Sequence, residues 1–399
     1  MPSVEISPGI HWIGVNDHTT DLFEGLWPIT QEGVSYNSYL VMDEKRAVVD
    51  LAKSIKVDEY LGRMEELLDV SQLDYIVLNH LEPDHTGILR VLWKMAPRAT
   101  LLCSPQAKNM VSAFYGITDR IQVVKDGEEL SLGKKTLKFF LTPMVHWPET
   151  MMTYDVHSQV LFSCDAFGGY GALQGAIFDD ECSDFDFYQR ESLRYYANIV
   201  AKYSPMVLRA IDKLSHLPVA VIAPSHGLIW RRSPGLIVEL YRRWATYAQS
   251  GGEKGVTVVY GSMYGNTEVV MDAIAQGIAE SGLRVEIFDV RRSHPSYILP
   301  SLLTNKGVVV GAPTYEAALF PYMVHLLDLA LRKELKHKKA LYFGSFGWAG
   351  GAKREFEKFA GELDWEIVQS FEFQGGGRPE DFRRAMALGL EFGQLLSGL

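Results

Sequence analysis

The chain has 399 residues, 47% of them hydrophobic and 22% charged, which is ordinary for a globular protein and too long for one core, so we expect two domains. A formal net charge of −10 argues against binding to nucleic acid or to an anionic membrane. The three cysteines (Cys103, Cys164 and Cys182) include no CxxC pair, which excludes a disulfide framework or a cysteine-ligated iron centre and is typical of a reducing cytosol.

The N-terminal segment MPSVEISPGIHW lacks a basic stretch followed by an apolar one, so we predict no signal peptide. No apolar run reaches the roughly 18 residues of a membrane span, so we predict none. Together with the cysteine usage, this leads us to expect a cytoplasmic protein. Up to about residue 248, short strand-like runs are mixed with helical patterns at 55–68 and 184–202. The predicted strands of this half lie at 35–42, 46–51, 74–79, 136–142, 160–165 and 219–224.

A polar, glycine-rich stretch, QSGGEKG at 249–255, predicts a linker between two domains, 1–250 and 255–399. After it, strands and helices alternate strictly, which predicts an α/β doubly wound parallel sheet of about five strands. Such a sheet binds ligands beyond the carboxyl ends of its strands. The predicted strands lie at 256–261, 284–290, 307–312, 340–345 and 365–373, and helices lie near 267–282 and at 379–397.

The loop YGSMYGNTE (260–268) follows the first of these strands and opens a helix. It lacks both the GxGxxG fingerprint of dinucleotide sites and the Lys-Ser/Thr ending of triphosphate loops. Its glycines permit tight turns, and backbone N–H groups at a helix N-terminus can hold a phosphate without a lysine. The alternative is a plain strand-to-helix turn with a Thr or Asn cap.

Two further loops, GAPTYEAALFP (311–321) and GSFGWAGGA (344–352), place aromatic side chains among glycines. Such loops suit a stacked planar ring, and the alternative is that the aromatics merely cover the end of the sheet. With the three loops together, residues 255–399 resemble a flavodoxin, which binds FMN non-covalently. The resemblance implies that the phosphate is surrounded by Ser262, Met263, Tyr264, Gly265, Asn266 and Thr267, and the isoalloxazine by Pro313, Thr314, Tyr315, Glu316, Ser345, Phe346, Gly347, Trp348 and Gly350.

The stretch LNHLEPDHTG (78–87) sets four ligand-type side chains after a predicted strand, and its Pro83 allows them to point to two sides. His80 and Glu82 would face one centre, and Asp84 and His85 another. Three more ligand-type residues follow or end strand-like runs, in TPMVHWPET, LFSCDAFGG and VIAPSHG: these are His146, Asp165 and His226.

Together these seven residues predict a two-metal cleft, in which the short carboxylate of Asp165 is suited to bridge. Taken singly, a histidine is more typical of a hydrogen-bonded surface residue, and the 80–85 cluster of a solvated turn. Four neutral histidines and three carboxylates carry −3, which two divalent ions and one hydroxide would neutralise. Such ligands suit iron, manganese or zinc. The other histidines are expected to be structural or on the surface: His11, His18, His157, His216, His294, His325 and His337.

Residues 1–248 resemble the metallo-β-lactamase fold, an αββα sandwich of α+β class whose hydrolases usually carry HxHxDH and bind zinc. This chain carries HxExDH. Glu82 is a harder oxygen donor with an extra negative charge, and it therefore favours redox iron over hydrolytic zinc.

The two domains in this order resemble the flavodiiron proteins (A-type flavoproteins) over essentially the whole chain. Further motifs are GVSYNSYLV (33–41), HWP (146–148), MMTY (151–154), YYANI (195–199) and PSHGLIWR (224–231). The resemblance implies an oxidoreductase that reduces O2 to water, NO to N2O, or both, at a non-haem diiron centre fed by FMN, and we expect O2 to be slightly preferred. It implies that one iron takes His80, Glu82 and His146, that the other takes Asp84, His85 and His226, and that Asp165 bridges them.

The resemblance also implies a head-to-tail homodimer, or a dimer of such dimers, because the FMN and the diiron centre of one chain would lie too far apart. The FMN of one subunit would then serve the iron pair of the other. The last predicted element is the helix at 379–397, and we expect no appended rubredoxin or flavin-reductase module. We therefore expect an external electron donor such as a rubredoxin, itself reduced by an NADH-dependent reductase.

Glu24 and Tyr195 are candidate catalytic residues beside the metal ligands. Many relatives carry a histidine where DLFEGLWP (21–28) has Glu24, so a Glu24 that enters the pocket would change its polarity and proton supply. Trp147 and Tyr196 are further candidates, with aromatic packing as the alternative role for both and for Tyr195.

Two other functions remain open from sequence. One is a zinc hydrolase fused to a flavodoxin and acting on a lactam, thioester or phosphoester, against which Glu82 counts. The other is an electron carrier in which only the flavodoxin part works.

Overall fold

The computed structural model describes residues 2–398, and the chain forms two compact units. The first unit comprises Met1–Tyr195 and Pro205–Arg242, and the second comprises Tyr196–Ser204 and Arg243–Leu399. The division therefore falls within a helix at Arg242, before the glycine-rich stretch in which we predicted the linker. Within the described residues, no helix is long and apolar enough to cross a membrane.

The first unit contains two large sheets and seven α-helices within the described chain. Its strands are β1 Val4–Ser7, β2 Ile10–Trp12, β3 Val15–Asp17, β4 Leu22–Phe23, β5 Trp27–Pro28, β6 Val34–Tyr36, β7 Tyr39–Val41, β8 Ala47–Val49, β9 Tyr75–Val77, β10 Thr100–Cys103, β11 Ile121–Val123, β12 Glu129–Ser131, β13 Thr136–Leu141, β14 Met151–Asp155, β15 Val160–Cys164 and β16 Val221–Pro224. Its helices are α1 Val57–Glu65, α2 Pro83–Thr86, α3 Leu89–Met95, α4 Pro105–Tyr115, α5 Phe185–Tyr195, α6 Ser204–Leu214 and α7 Pro234–Ser250, the last of which continues into the second unit.

The larger sheet has the order β1-β2-β7-β8-β9-β10-β11, and the smaller has the order β12-β13-β14-β15-β16. The strands β8, β9 and β10 run parallel, and so do β15 and β16. The ring centroids of Tyr39 in β7 and Phe162 in β15 lie 5.2 Å apart, so the two sheets pack face to face across an apolar core. The first unit thus has the sandwich predicted from sequence.

The predicted strand at 35–42 is divided in two, because Asn37 leaves the ladder. Its backbone N–H donates to the carbonyl of Ser225 at 2.7 Å, and its side-chain amide donates to the carbonyls of Pro224 and Gly227, each at 2.9 Å. The residue is fully buried. Asn37 therefore fixes the loop that carries His226.

The predicted helix at 184–202 is also wrong as a single element. The α-helix α5 ends at Tyr195, a π-helical segment covers Tyr196–Val200, and a 3-10 turn covers Ala201–Tyr203. The segment after Tyr195 belongs to the second unit, within which Asn198 Nδ2 donates to Ser296 Oγ at 2.6 Å. Such π-helical turns concentrate at functional sites.

The second unit is built on a five-stranded, fully parallel sheet, as predicted. Its strands are β17 Glu253–Tyr260, β18 Val285–Asp289, β19 Asn305–Gly311, β20 Thr314–Tyr315, β21 Ala318–Leu319, β22 Lys339–Phe346 and β23 Glu366–Gln374, and its helices are α8 Asn266–Glu280, α9 Pro295–Thr304, α10 Pro321–Arg332, α11 Ala352–Glu362 and α12 Pro379–Ser397. The strand order is β18-β17-β19-β22-β23, and β20 and β21 form a small separate hairpin. Because β17, β19 and β22 are adjacent and parallel, the three glycine-rich loops leave the same edge of the sheet.

Candidate metal centre and flavin site

The seven predicted metal ligands converge because they follow, or precede, strands that end at the same edge of the two sheets. His80 lies three residues after β9, Asp165 directly follows β15, and His226 lies two residues after β16. His146 precedes β14, which is antiparallel to β15, so its loop meets the carboxyl end of β15. The short helix α2 carries Asp84 and His85 into the same space.

Asp165 lies at the centre of this group, and each of its carboxylate oxygens faces a different pair of histidines. Its Oδ2 lies 3.3 Å from both His80 Nε2 and His146 Nε2. Its Oδ1 lies 3.0 Å from His85 Nε2 and 3.4 Å from His226 Nε2. This is the geometry of a carboxylate shared by two adjacent sites.

Glu82 and Asp84 complete the two sites on opposite sides of Asp165. Glu82 Oε2 lies 3.2 Å from both His80 Nε2 and His146 Nε2. Asp84 Oδ2 lies 3.3 Å from His226 Nε2, and its Oδ1 lies 3.5 Å from His85 Nε2. The ligand atoms of His80, Glu82, His146 and Asp165 all lie within 4.8 Å of one another, and so do those of Asp84, His85 and His226.

Several of these buried atoms make no hydrogen bond within residues 2–398, although they lie close to atoms of opposite character. They are both carboxylate oxygens of Asp84, Asp165 Oδ2 and His226 Nε2. Buried polar atoms without partners are costly, and lone pairs aimed at a common point are what a cation satisfies. Imidazole and carboxylate donors are appropriate for iron, so the residues present fit a pair of iron ions.

The electrostatics of the metal-free cluster support the same interpretation. Burial alone would raise the pKa of Asp165, but the imidazole of His85 and the contacts from His146 and His226 hold it well below its usual range. Burial alone would lower the pKa of the histidines, yet the neighbouring carboxylates raise that of His146 to about 9 and that of His226 to about 10. In the metal-free cluster, protons on the histidines thus balance the negative charge of the carboxylates, which bound metal ions would otherwise balance.

Cys164 also lies within ligand distance of His85 and Asp165, although the sequence pattern did not predict it as a metal ligand. Burial, first of all, and the nearby carboxylates of Asp50 and Asp165 raise the pKa of its thiol well above the usual value. Cys164 is almost fully buried beside the predicted ligands.

Three buried residues that support the ligands were missed by sequence reasoning. His80 Nδ1–H donates to Glu149 Oε1 at 2.7 Å, and His226 Nδ1–H donates to the carbonyl of Ser35 at 2.7 Å. Asp50 accepts from the backbone N–H of Asn79 at 2.8 Å and from its side-chain amide at 2.9 Å, which fixes the residue before His80. Glu149 stands in the motif HWPET, where a carboxylate three residues after a ligand was the available signal.

The candidate catalytic residues Tyr195 and Glu24 both lie beside the cluster. The Tyr195 hydroxyl donates to Asp165 Oδ1 at 2.9 Å, and burial together with Asp165 raises the pKa of Tyr195 well above its usual value, so it remains a donor. Glu24 accepts from Trp27 Nε1 at 3.0 Å. With Glu82 and Asp84, Glu24 lines a cavity of about 270 Å³ at the mouth of the cluster.

The other two aromatic candidates, Trp147 and Tyr196, differ in the residues that they contact. The ring of Trp147 lies 5.0 Å from that of His80, edge to face, so Trp147 packs directly on a predicted ligand. Tyr196 instead shares a hydrogen bond of 2.7 Å with Ser204 and belongs to the second unit.

The predicted flavin residues lie at the carboxyl ends of β17, β19 and β22. Gly265, at φ +91°, permits the turn into α8, and its N–H donates to Ser262 Oγ at 3.0 Å. Thr267 Oγ1 and Ser345 Oγ lie 3.0 Å apart and join the first loop to the third. The side chains of Tyr264 and Trp348 are 89% and 93% exposed, so apolar ring faces are free at this edge.

Arg291 supports the phosphate loop and was also missed. Its guanidinium donates to the carbonyl of Ser262 and is held by the carboxylate of Asp289. Exposed aromatic faces beside a glycine-rich helix N-terminus fit a flavin with a single phosphate.

Comparisons with known proteins match both parts of the chain. A family model described as "ODP family beta lactamase" matches residues 34–227, and a flavodoxin model matches residues 258–388. The chain is 34% identical over 391 residues to a nitric oxide reductase of Moorella thermoacetica, covering 97% of each protein. It is 38% identical to the anaerobic nitric oxide reductase flavorubredoxin of Escherichia coli, covering 88% of this chain and 73% of that protein.

Solved structures give the same result over the whole chain. The flavodiiron protein of Giardia intestinalis matches with a TM-score of 0.93 at 28% identity, covering 100% of this chain and 97% of the other. The rubredoxin oxygen:oxidoreductase of Desulfovibrio gigas matches with a TM-score of 0.94 at 28% identity, covering 99% of each chain. A flavoprotein of Thermotoga maritima matches with a TM-score of 0.90 at 32% identity, also over 99% of each. From the sandwich with its two-sided carboxylate, the flavodoxin unit and these relatives, we conclude that the chain belongs to the flavodiiron protein family of oxidoreductases.

Proposed function

We propose that this protein reduces O2 to water, NO to N2O, or both, at a non-haem diiron centre, with electrons that enter through FMN from an external donor such as a rubredoxin. The observation that carries the proposal is the two-sided coordination geometry of Asp165 in a chain that also has a flavodoxin unit. Three of the relatives named above are named as nitric oxide reductases or as a rubredoxin oxygen:oxidoreductase, which does not favour the zinc hydrolase considered from sequence.

The geometry supports the following assignment of residues to the cofactors. His80, Glu82 and His146 would hold one iron, Asp84, His85 and His226 would hold the other, and Asp165 would bridge them. The loops after β17, β19 and β22 would hold FMN, with the Ser262–Thr267 loop around its phosphate. The iron pair and the flavin supply the electron transfer when bound.

The chain's own side chains supply position, polarity and protons. Burial of the histidines keeps bulk water from the ligands, since His80, His85 and His226 are fully buried. Both reactions consume protons as well as electrons, and the partly exposed carboxylate of Glu24 lies at the cavity mouth, where a proton can pass from solvent. The Tyr195 hydroxyl holds Asp165 by a hydrogen bond and so keeps each carboxylate oxygen on its own pair of histidines.

The preference for O2 over NO remains a prediction, and so do the rubredoxin donor, the head-to-tail homodimer or dimer of dimers, and the cytoplasmic location. The sequence-based expectation is a slight preference for O2. A glutamate in place of the histidine found in many relatives gives the cavity a different polarity, which is why the two rates must be measured on one sample.

The test uses protein loaded with iron and FMN, a rubredoxin, its reductase and NADH. We expect uptake of O2 and, without O2, of NO, and loss of both when the rubredoxin is omitted. The His80→Ala variant should lose gas consumption while its FMN is still reduced, which separates a reductase from a simple electron carrier. Two zinc ions per chain with ester or lactam hydrolysis and no gas uptake would overturn the proposal.

A further inference from the structure

The histidines of the two proposed metal sites differ in what holds their outer nitrogen. His80 Nδ1–H donates to the carboxylate of Glu149, and both side chains are 0% exposed. His226 Nδ1–H donates to a neutral backbone carbonyl, that of Ser35. His85 Nδ1 is buried and has no hydrogen-bond partner among residues 2–398. A carboxylate therefore accepts a hydrogen bond from the outer nitrogen of only one of these three rings.

Glu149 is held so that its charge acts on His80. The backbone N–H of Leu81 donates to the same oxygen, Oε1, at 3.0 Å, and the Ser104 hydroxyl donates to the Glu149 backbone carbonyl at 2.7 Å. The second oxygen, Oε2, is buried without a hydrogen-bond partner in the described chain. Across residues 2–398, no lysine or arginine forms an ion pair with Glu149, and His80 is its one ion-pair partner. The charge is thus not neutralised locally by a cation.

A carboxylate behind a metal-bound imidazole has two known physical effects. It fixes the tautomer, leaving Nε2 free to bind the metal, and it increases the electron density that the ring donates. A stronger, more negative donor set stabilises the higher charge of a ferric ion more than that of a ferrous ion. A neutral carbonyl or an unpaired nitrogen gives less of this effect.

We propose that Glu149 is a positioning residue that makes the two metal sites unequal. It strengthens His80, so the site of His80, Glu82 and His146 binds metal more tightly than the site of Asp84, His85 and His226, and its iron is oxidised at the lower potential. This inference rests on the proposed function in that it takes the two sites to be those of iron.

The test begins with metal binding, which needs no turnover. Apoprotein is titrated anaerobically with Fe2+ against a chelator, in the original protein and in Glu149→Gln. The glutamine keeps the size of the side chain and can still accept from Nδ1–H, so only the charge is removed. Loss of a residue that supports a metal ligand typically weakens metal binding by about 10- to 100-fold. We expect a loss of this size in the binding step of the site of His80, Glu82 and His146, and a change of less than about threefold in the other step.

The second measurement is a reductive titration followed by the Mössbauer spectrum of 57Fe-loaded protein. In the original protein the two irons should be reduced in separate steps. In Glu149→Gln the potentials of the two steps should lie closer to each other. Each tenfold difference between ferric and ferrous binding shifts a one-electron potential by about 59 mV. Unchanged steps in Glu149→Gln would overturn the proposal.

A structural control separates charge from loop position. The Thr150 hydroxyl donates to the carbonyls of Thr142 at 2.6 Å and Trp147 at 2.9 Å, so it holds the same loop without touching His80. Thr150→Val should leave the separation of the two reduction steps intact. Glu149→Asp, which keeps the negative charge, should retain part of the separation that is lost in Glu149→Gln. Equal effects of Thr150→Val and Glu149→Gln would show a role in loop structure alone and overturn the proposal.

The binding and reduction measurements do not depend on whether the protein consumes O2 or NO. If the original protein binds two iron ions but consumes neither gas, the proposed function fails while the inequality of the sites is still measured. If it consumes gas and Glu149→Gln binds and reduces iron like the original, the function stands and this inference fails.

Discussion

Loading the apoprotein with metal should release protons from the site histidines. In the metal-free cluster, the carboxylates of Asp165, Glu82 and Asp84 raise the pKa of His146 to about 9 and that of His226 to about 10. At pH 7 both imidazoles are then almost fully protonated, and metal binding at Nε2 must displace those protons. We therefore expect release of about two protons per chain from these residues alone, with His80, whose pKa is also raised well above its usual value, adding to the total.

The assay is calorimetric titration with Zn2+, a redox-inactive probe, in buffers of different ionisation enthalpy. The slope of the apparent enthalpy against the buffer enthalpy gives the number of protons released. At pH 9 the contribution of His146 and His226 should fall to about 1.4 protons, because half of His146 is then already neutral. In His146→Gln, the release at pH 7 should fall by about one proton. Release of fewer than about one proton at pH 7 in the original protein would refute the electrostatic argument.

Three further predictions concern single side chains. Tyr195→Phe removes a hydrogen bond to the buried carboxylate of Asp165 and should lower the free energy of unfolding by about 1.5–3 kcal/mol in urea titrations, and a change below about 0.5 kcal/mol would contradict it. Trp348→Ala should weaken FMN binding about 2- to 13-fold in fluorescence titrations with unfolding unchanged, because Trp348 is 93% exposed and a stacking contact is worth about 0.5–1.5 kcal/mol; equal affinities would refute a stacking role. Lys338 is fully buried, and burial lowers its pKa to about 7. The unfolded chain then binds an extra proton between pH 7 and about 10.4, so stability should rise with pH in that window, and urea midpoints at pH 7 and 9 should rise less in Lys338→Met than in the original.

Much of the second unit could be predicted from sequence because its signals are local. Buried parallel strands are continuous apolar runs, and glycine-rich loops mark their carboxyl ends, so the predicted helix at 379–397 and all five main strands were confirmed with small shifts of their ends. Arg291 was missed because its contact with Ser262 joins loops after two different strands. That contact exists only once β17 and β18 lie side by side.

The first unit shows where local signals end. Residues 35–42 have a strand pattern, but the buried amide of Asn37 bonds to the carbonyls around His226 and breaks the strand. The helical pattern at 184–202 continues past Tyr195 in sequence, whereas packing of Asn198 against Ser296 replaces it with a π-helical turn. In both cases a tertiary hydrogen bond outweighs a propensity of a few tenths of a kcal/mol per residue.

The sequence by itself determined the chemistry available: four histidines and three carboxylates near strand ends, a glutamate in place of the histidine of the zinc hydrolases, and a phosphate loop without a lysine. The tertiary structure alone decided how those groups are shared. Asp165 faces two pairs of histidines, and Glu149 stands behind His80, because strands distant in sequence end at one buried edge. Residue type sets what a side chain can bind, but only the packing of the two sheets sets which side chains meet.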